Sequence, residues 1–239
     1  TSCISILCVA FTLGSSTWAG ELEGTVRLDS RLDAASSPAV VYITSKQSGT
    51  TPSTGSVTVD QRNLQFVPRV QAMALGGSIV FRNSDREAHN VNLNSPNGCC
   101  AVFNQMVGPS LESDPVQPSR PGLVRVLCNI HQQMRGFVMV CPSSMFAVTD
   151  AQGRFRIPGV PDGPHRLVIW QESSKPFAQD VFVSGQTSVD LTLESSGGTT
   201  APSNSLSVQS LETWAEVLKR ISSTLEAAAR IAQRPEGGR

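Results

Sequence analysis

From residue 56 onward apolar and polar positions alternate in short runs. SVTVD (56–60), FVPRVQAMA (66–74) and SIVFRN (78–83) repeat with a period of two, the spacing of half-buried strands. A Gly-Gly turn separates the last two runs. Residues 92–122 are loop-rich, with only AVF (101–103) strand-like. LVRVLC (123–128) and GFVMVC (136–141) return to strand character, so 56–141 predicts an antiparallel sandwich with its functional loops at one end. Upstream, ELEGTVRL (21–28) and AVVYITS (39–45) are two more strand-like runs, and a Ser/Thr/Gly spacer follows them.

A second pattern begins at Phe146. FAVTDAQGRFRIPGVPDGPHRLVIWQ and DVFVSGQTSVDLTLE are strands divided at AQG, VPDG and SGQ, where Gly supplies positive φ and Pro presets its own. Residues 196–209 are rich in Ser, Gly, Thr and Pro and read as a linker. Beyond them Leu211, Trp214, Leu218, Ile221, Leu225, Ala228 and Ala232 fall at helical spacing, predicting an amphipathic helix over 210–235. Such a helix is a candidate for self-association or for contact with a partner. Residues 1–19 read as a secretory leader, an apolar stretch followed by small residues and a cleavage position after Ala19. The apolar stretch is too short to span a bilayer. The expected protein is soluble and exported, periplasmic or secreted.

Charge balances at zero and charged residues make up only 16%, which argues against nucleic acid or an acidic substrate. Loss of the leader leaves Cys99, Cys100, Cys128 and Cys141. In an oxidising compartment the expectation is a disulfide from Cys141 to Cys99 or Cys100.

The chemistry concentrates in one run. Cys128, His131 and Met134 lie in VRVLCNIHQQM, and His89 lies upstream in NSDREAHNV. A thiolate and two imidazoles in a plane, with a weak axial thioether, is the ligand set of a mononuclear blue-copper centre. Taken alone, Cys-x2-His is also half of many zinc sites. The flanks add to it. GGSIVFRNSDREAHNV and VLCNIHQQMRGFVMV resemble the two ligand-bearing stretches of the plastocyanin/amicyanin-type cupredoxins, and within them exported proteins linked to methylamine utilisation. The likeness covers roughly 56–172 and is most specific over 79–91 and 124–140.

That resemblance implies one type 1 copper ion held by His89, Cys128, His131 and Met134, and single-electron transfer to a transient redox protein partner. It implies that Asn90 ties the two ligand loops together near the thiolate. It also implies that His131 reaches the surface through an apolar patch where a partner would touch. The segment between Pro96 and Pro121 departs from the family pattern. Met106 is expected to pack, and His165 to be an ordinary turn-to-strand residue.

In the second half Asp150, Gly153, Phe155, Pro161 and Gly163 form a pattern that resembles the carboxypeptidase regulatory-like, transthyretin-type sandwich, a module without catalysis of its own. The expected fold class is therefore all-β: a cupredoxin-like Greek-key β-sandwich plus a small transthyretin-like sandwich, with a C-terminal amphipathic helix. The copper unit is placed at 20–141, with its core at 56–141, and the second unit at 142–195. Strands within 21–45 are candidates to be shared, which would make the copper unit an insertion between Thr44 and Phe146.

Multicopper oxidases and copper nitrite reductases need several more histidines, and the chain has three in all. An enzyme is therefore not expected. The alternatives to electron transfer are a copper carrier or sequestering protein, and a metal-free exported interaction module.

Overall fold

The computed structural model describes residues 19–28, 37–44, 55–175 and 177–196. The predicted helix at 210–235, nearly all of the predicted leader and all but the first residue of the linker lie outside these residues. Fifteen strands make up the described chain. β1 (Ala19–Leu28) and β2 (Val40–Thr44) come first. β3 (Ser56–Gln61), β4 (Phe66–Val67), β5 (Val70–Ala74), β6 (Ser78–Asn83), β7 (His89–Asn94), β8 (Phe103–Val107), β9 (Gly122–Leu127) and β10 (Arg135–Cys141) follow. β11 (Phe146–Val148), β12 (Arg154–Pro161), β13 (Gly163–Trp170), β14 (Phe177–Val183) and β15 (Gln186–Leu193) come last. The described residues contain no helix long and apolar enough to cross a membrane.

Two sandwiches result. Sheets β4-β3-β6 and β5-β10-β9-β7-β8 enclose one core, with Phe66, Phe81, Val91, Val126 and Val138 at its centre. Sheets β12-β1-β15 and β11-β2-β13-β14 enclose the other, around Leu22, Ile43, Ile157, Leu167 and Leu193. The described part of the 20–45 segment therefore hydrogen-bonds with the C-terminal strands: β1 with β12 and β15, β2 with β11 and β13. Strands β3 to β10 sit between β2 and β11 in the sequence as an insertion into this second sandwich.

A third apolar cluster joins the two. Val40, Tyr42, Val168 and Trp170 on one side meet Val70, Phe137, Met139 and Cys141 on the other. Strand β2 is thus buried on both faces, as is most of β10. That is why AVVYI and GFVMVC read as continuous apolar runs rather than alternating ones. The exposed edges behave differently: β12 alternates exposed and buried positions through RFRI, one face on the core and one in water.

Some expectations are corrected here. The first sandwich is not purely antiparallel, since β10 runs parallel to β5 and β3 parallel to β6. FVPRVQAMA is not one strand but two, separated around Pro68, which has no N–H for a ladder. AVF reaches only the start of β8, and the rest of that strand escaped notice because Asn104 and Met106 face outward. No disulfide joins Cys141 to Cys99 or Cys100, and all four cysteines of the described residues are free. Cys141 lies in the cluster between the sandwiches, while Cys99 and Cys100 lie in the first core, on the opposite face of the five-stranded sheet.

The turn before β12 shows how the sequence encodes these ends. Asp150 Oδ1 accepts N–H bonds from Gln152 and Arg154, Asp150 O accepts from Gly153 N, and Gly153 takes φ 76°. The Arg154 guanidinium and the neighbouring N–H groups hold the Asp150 carboxyl below its ordinary value.

Candidate metal centre

Two loops at one end of the first sandwich carry the site. One joins β6 to β7 and is shaped by Asn83, which is fully buried. Its Nδ2 donates to Glu87 O (2.7 Å) and Val107 O (2.8 Å), and its Oδ1 accepts Asp85 N–H (2.9 Å). Residues 84–88 are thereby curled back, and His89 enters as the first residue of β7 with its ring facing inward at 0% exposure. The other loop is the β9–β10 hairpin, residues 128–134. It closes through Cys128 N–H to Met134 O (3.2 Å) and Met134 N–H to His131 O (2.8 Å).

These loops bring three donors together. Nδ1 of His89 is 3.0 Å from Nδ1 of His131, and the latter is 3.8 Å from Sγ of Cys128. All three ligating atoms lie within 4.8 Å of one another. Metal bonds of about 2.0–2.3 Å, the range for imidazole and thiolate on a first-row ion, bridge such separations. The rings meet nearly edge to face, at 4.9 Å between centroids and 69° between planes. One thiolate and two imidazoles, with no carboxylate among the donors, is a soft set that suits copper or zinc rather than magnesium or calcium.

The outer atoms of the rings are held as well. Nε2 of His89 is 2.8 Å from Asp85 Oδ2, and Nε2 of His131 is 3.6 Å from Glu87 Oε2. With Asp85 ionised, His89 keeps its proton on Nε2 and turns the Nδ1 lone pair into the site. Desolvation draws the Asp85 carboxyl upward, but N–H bonds from Leu64 and Asn63 and the His89 ring outweigh it and hold it below its ordinary value. Those two N–H groups come from the β3–β4 turn, so Asp85 also binds that turn to the ligand loop.

Asn90 connects the two ligand loops. Its backbone N–H points at Cys128 Sγ (3.5 Å), as does the N–H of His131 (3.5 Å). Both are placed to stabilise negative charge on the sulfur. Its side-chain Oδ1 accepts the N–H of Asn129 (3.3 Å), and its Nδ2 donates to Asn104 Oδ1 (2.6 Å).

Met134 is buried at 1% exposure in the same apolar core as Cys128. The clustered donor set itself consists of His89, Cys128 and His131. Met106, expected to pack, is instead 54% exposed on β8. His165 lies on β13 in the other sandwich, with Nε2 2.6 Å from Pro161 O, away from the site. Sequence reading passed over Asp85 and Glu87. The signal for both was present in NSDREAH, where Asp85 stands four residues before a histidine and Glu87 two.

No family model and no curated protein matches the chain. Among solved structures it is similar to amicyanin mutants. A Cu(I) form shares 19% identity with a TM-score of 0.32, covering 42% of this chain and 97% of that one. An oxidised form shares 18% with a TM-score of 0.33 over the same shares of each chain.

Proposed function

We propose that the chain is a cupredoxin-like type 1 copper protein that carries single electrons between transiently docked redox protein partners outside the cytoplasm. The observation that carries this reading is the convergence of His89 Nδ1, His131 Nδ1 and Cys128 Sγ within 4.8 Å, on two loops of a rigid sandwich. One copper ion held there would supply a reversible Cu(I)/Cu(II) couple.

The protein's own part is to keep the donor set the same in both states. Asp85 locks the His89 ring, Asn90 fixes the hairpin against β7, and the two N–H groups on the sulfur balance its charge. Met134, buried beside the hairpin, is proposed as the weak axial ligand. The two histidines differ in access. The His89 side chain is closed off at 0% exposure, whereas that of His131 is 20% exposed and adjoins Ile130, itself half-exposed. His131 is thus the proposed exit for the electron, and the ground around it the proposed place of contact.

Electron transfer is favoured over oxidase or reductase chemistry by the histidine count. Only three occur in the chain, and the third serves Pro161. Export rests on the apolar leader at residues 1–19 and belongs to the same proposal, as does any tie to methylamine metabolism.

A copper carrier would use the same donors, and retention separates the two. Copper-loaded protein is reduced and reoxidised repeatedly in the presence of a Cu(I) chelator, and bound copper is measured after each cycle. An electron carrier keeps its copper and cycles with simple one-electron kinetics. Loss of copper to the chelator on the first reduction would reject electron transfer in favour of a carrier.

A further inference from the structure

Arg69 stands just before β5, where that strand begins its parallel pairing with β10 at Val70 and Phe137. Its guanidinium meets three neighbours. Nη1 donates to the carbonyl of Arg135 (3.4 Å), the residue directly after Met134, and Nη2 donates to Glu172 Oε2. The guanidinium carbon lies 5.6 Å from the centre of the Phe137 ring, a cation over an aromatic face. The Arg69 carbonyl in turn accepts Phe137 N–H (2.8 Å). Between these contacts a Cβ at Gly136 would stand 3.0 Å from Phe66 Cβ and 3.3 Å from Arg69 O. Residues 135–137, onto which the 128–134 hairpin returns, are thus held along their length by Arg69 and its surroundings.

Glu172 belongs to the second sandwich, in the turn after β13. That turn is itself fixed. Glu172 Oε2 also accepts from Ser37 Oγ (3.3 Å), and the buried Gln171 donates to Ser37 O (3.4 Å) and accepts Ser173 N–H (2.7 Å). Just before it, Trp170 lies 5.2 Å from the Phe137 ring. Residue 135 is therefore tied to the second sandwich through the Arg69–Glu172 pair, and residue 137 through Trp170. The ion pair is partly buried, with side chains 36% and 13% exposed, and is screened less than an open surface pair. Beside it lies a cavity of about 710 Å³, lined by Gln133, Met134 and Arg135 from the hairpin side and by Ser37, Glu172 and Ser173 from the other. Apolar packing is missing across that gap, and the polar bridge spans it.

We propose that Arg69 and Glu172 are positioning residues for Met134: through them the second sandwich fixes the start of β10 and with it the place of the thioether. This inference rests on the copper reading above. The potential of a type 1 centre depends on its axial ligand, so the second sandwich sets that potential from outside the metal unit.

The test uses the full chain, copper-loaded and metal-free, as wild type, Arg69→Met, Glu172→Gln and the double variant. Arg166→Gln is the control, breaking the Arg166–Asp180 pair (2.9 Å) within the second sandwich. Charge and position give different patterns. Removing a cation near copper lowers its reduction potential and removing an anion raises it, so a pure field effect moves the two single variants in opposite directions. Loss of a shared brace moves both the same way, and the double variant no further than the larger single shift. The second pattern is expected, with the charge-transfer band and copper hyperfine splitting altered in all three and unchanged in Arg166→Gln. In the metal-free protein, amide exchange at Cys128, Met134 and Phe137 should quicken about ten-fold or more in the same three variants, the worth of one charge-assisted hydrogen bond. Wild type without a thiolate-to-copper band overturns the copper reading and this inference with it. Wild type that shows the band, while the single variants shift in opposite directions or keep the wild-type potential, overturns the positioning role alone. So does unchanged amide exchange in the metal-free variants.

Discussion

Replacing Asn90 by Ala should loosen the metal centre without touching a ligand, and the size of the effect can be worked from the contacts. The side chain is 6% exposed and makes three hydrogen bonds. One accepts Asn129 N–H at 3.3 Å, one donates to Asn104 Oδ1 at 2.6 Å, and a long one donates to Gln105 O at 3.4 Å. At about 1 kcal/mol net for each of the two better bonds, the loss is roughly 2 kcal/mol. Asn104 and Asn129 are exposed, so water can take over their freed groups and no orphan penalty is added.

The bond to Asn129 matters most for metal, because it fixes the residue directly after Cys128. Losing such support to a ligand costs about 10- to 100-fold in metal affinity. The N–H of residue 90 that points at the sulfur is backbone and survives the change. Competition with a chromophoric copper chelator gives the affinity, and urea unfolding of the metal-free protein gives the stability. Asn104→Ala is the control: it removes the 2.6 Å bond but not the tie to Asn129, so stability should fall by about 1 kcal/mol with affinity held. Equal copper affinity in Asn90→Ala and wild type, alongside the stability loss, would refute the role given to this side chain.

Other outcomes follow from the same contacts. Trp170 lies between the sandwiches at 3% exposure with its ring 5.2 Å from that of Phe137, so Trp170→Ala should cost about 3–5 kcal/mol in urea unfolding. A double-mutant cycle with Phe137→Ala should return a coupling of about 0.5–1.5 kcal/mol. Gly24→Ala would set a Cβ 1.8 Å from the carbonyl oxygen of Val189 in the parallel β1–β15 pair, and unfolding should show a loss of about 3 kcal/mol or more. A hydrogen bond from Cys100, reinforced by Ser95 against the opposing effect of burial, holds the Cys99 thiol below its ordinary value. Because its folded value lies below the ordinary thiol value of about 8.5, the ionised form favours the folded state. That stabilisation is complete above pH about 8.5 and declines as pH falls below it. The urea midpoint of wild type relative to Cys99→Ser should therefore decline across this window.

The strands most legible in the sequence were those with one wet face, because period-two alternation needs one. β3, β6 and β12 fall where the pattern put them, and the turn signals at Gly153 and Gly185 divide the second sandwich as expected. β2 and β10, packed on both faces, announced a strand but not its partners. The parallel pairs β3–β6 and β5–β10 could not be read at all, since pairing direction leaves no mark on alternation. The idea that β1 and β2 open the second sandwich came from sequence likeness, and their hydrogen bonds now lie there.

At the candidate metal centre His89, Cys128 and His131 stood out because histidines are scarce and the hairpin holds two of the candidate donors only three residues apart. Asp85 did not, because an acidic residue in a polar loop looks like any solvated charge until folding brings it to 2.8 Å from a ring nitrogen. Arg125 was hidden for the opposite reason. In LVRVLC it reads as the polar position of a half-wet strand, whereas in the fold it is only 9% exposed.

The most direct test is to add Cu(II) to the purified protein and record visible absorption and EPR spectra, with Cys128→Ser alongside. An intense visible thiolate-to-copper charge-transfer band with narrow copper hyperfine splitting, at one copper per chain and absent in the variant, is the expected result. A colourless protein that binds copper only weakly, with spectra unchanged by Cys128→Ser, would contradict the assignment of a thiolate–imidazole copper centre.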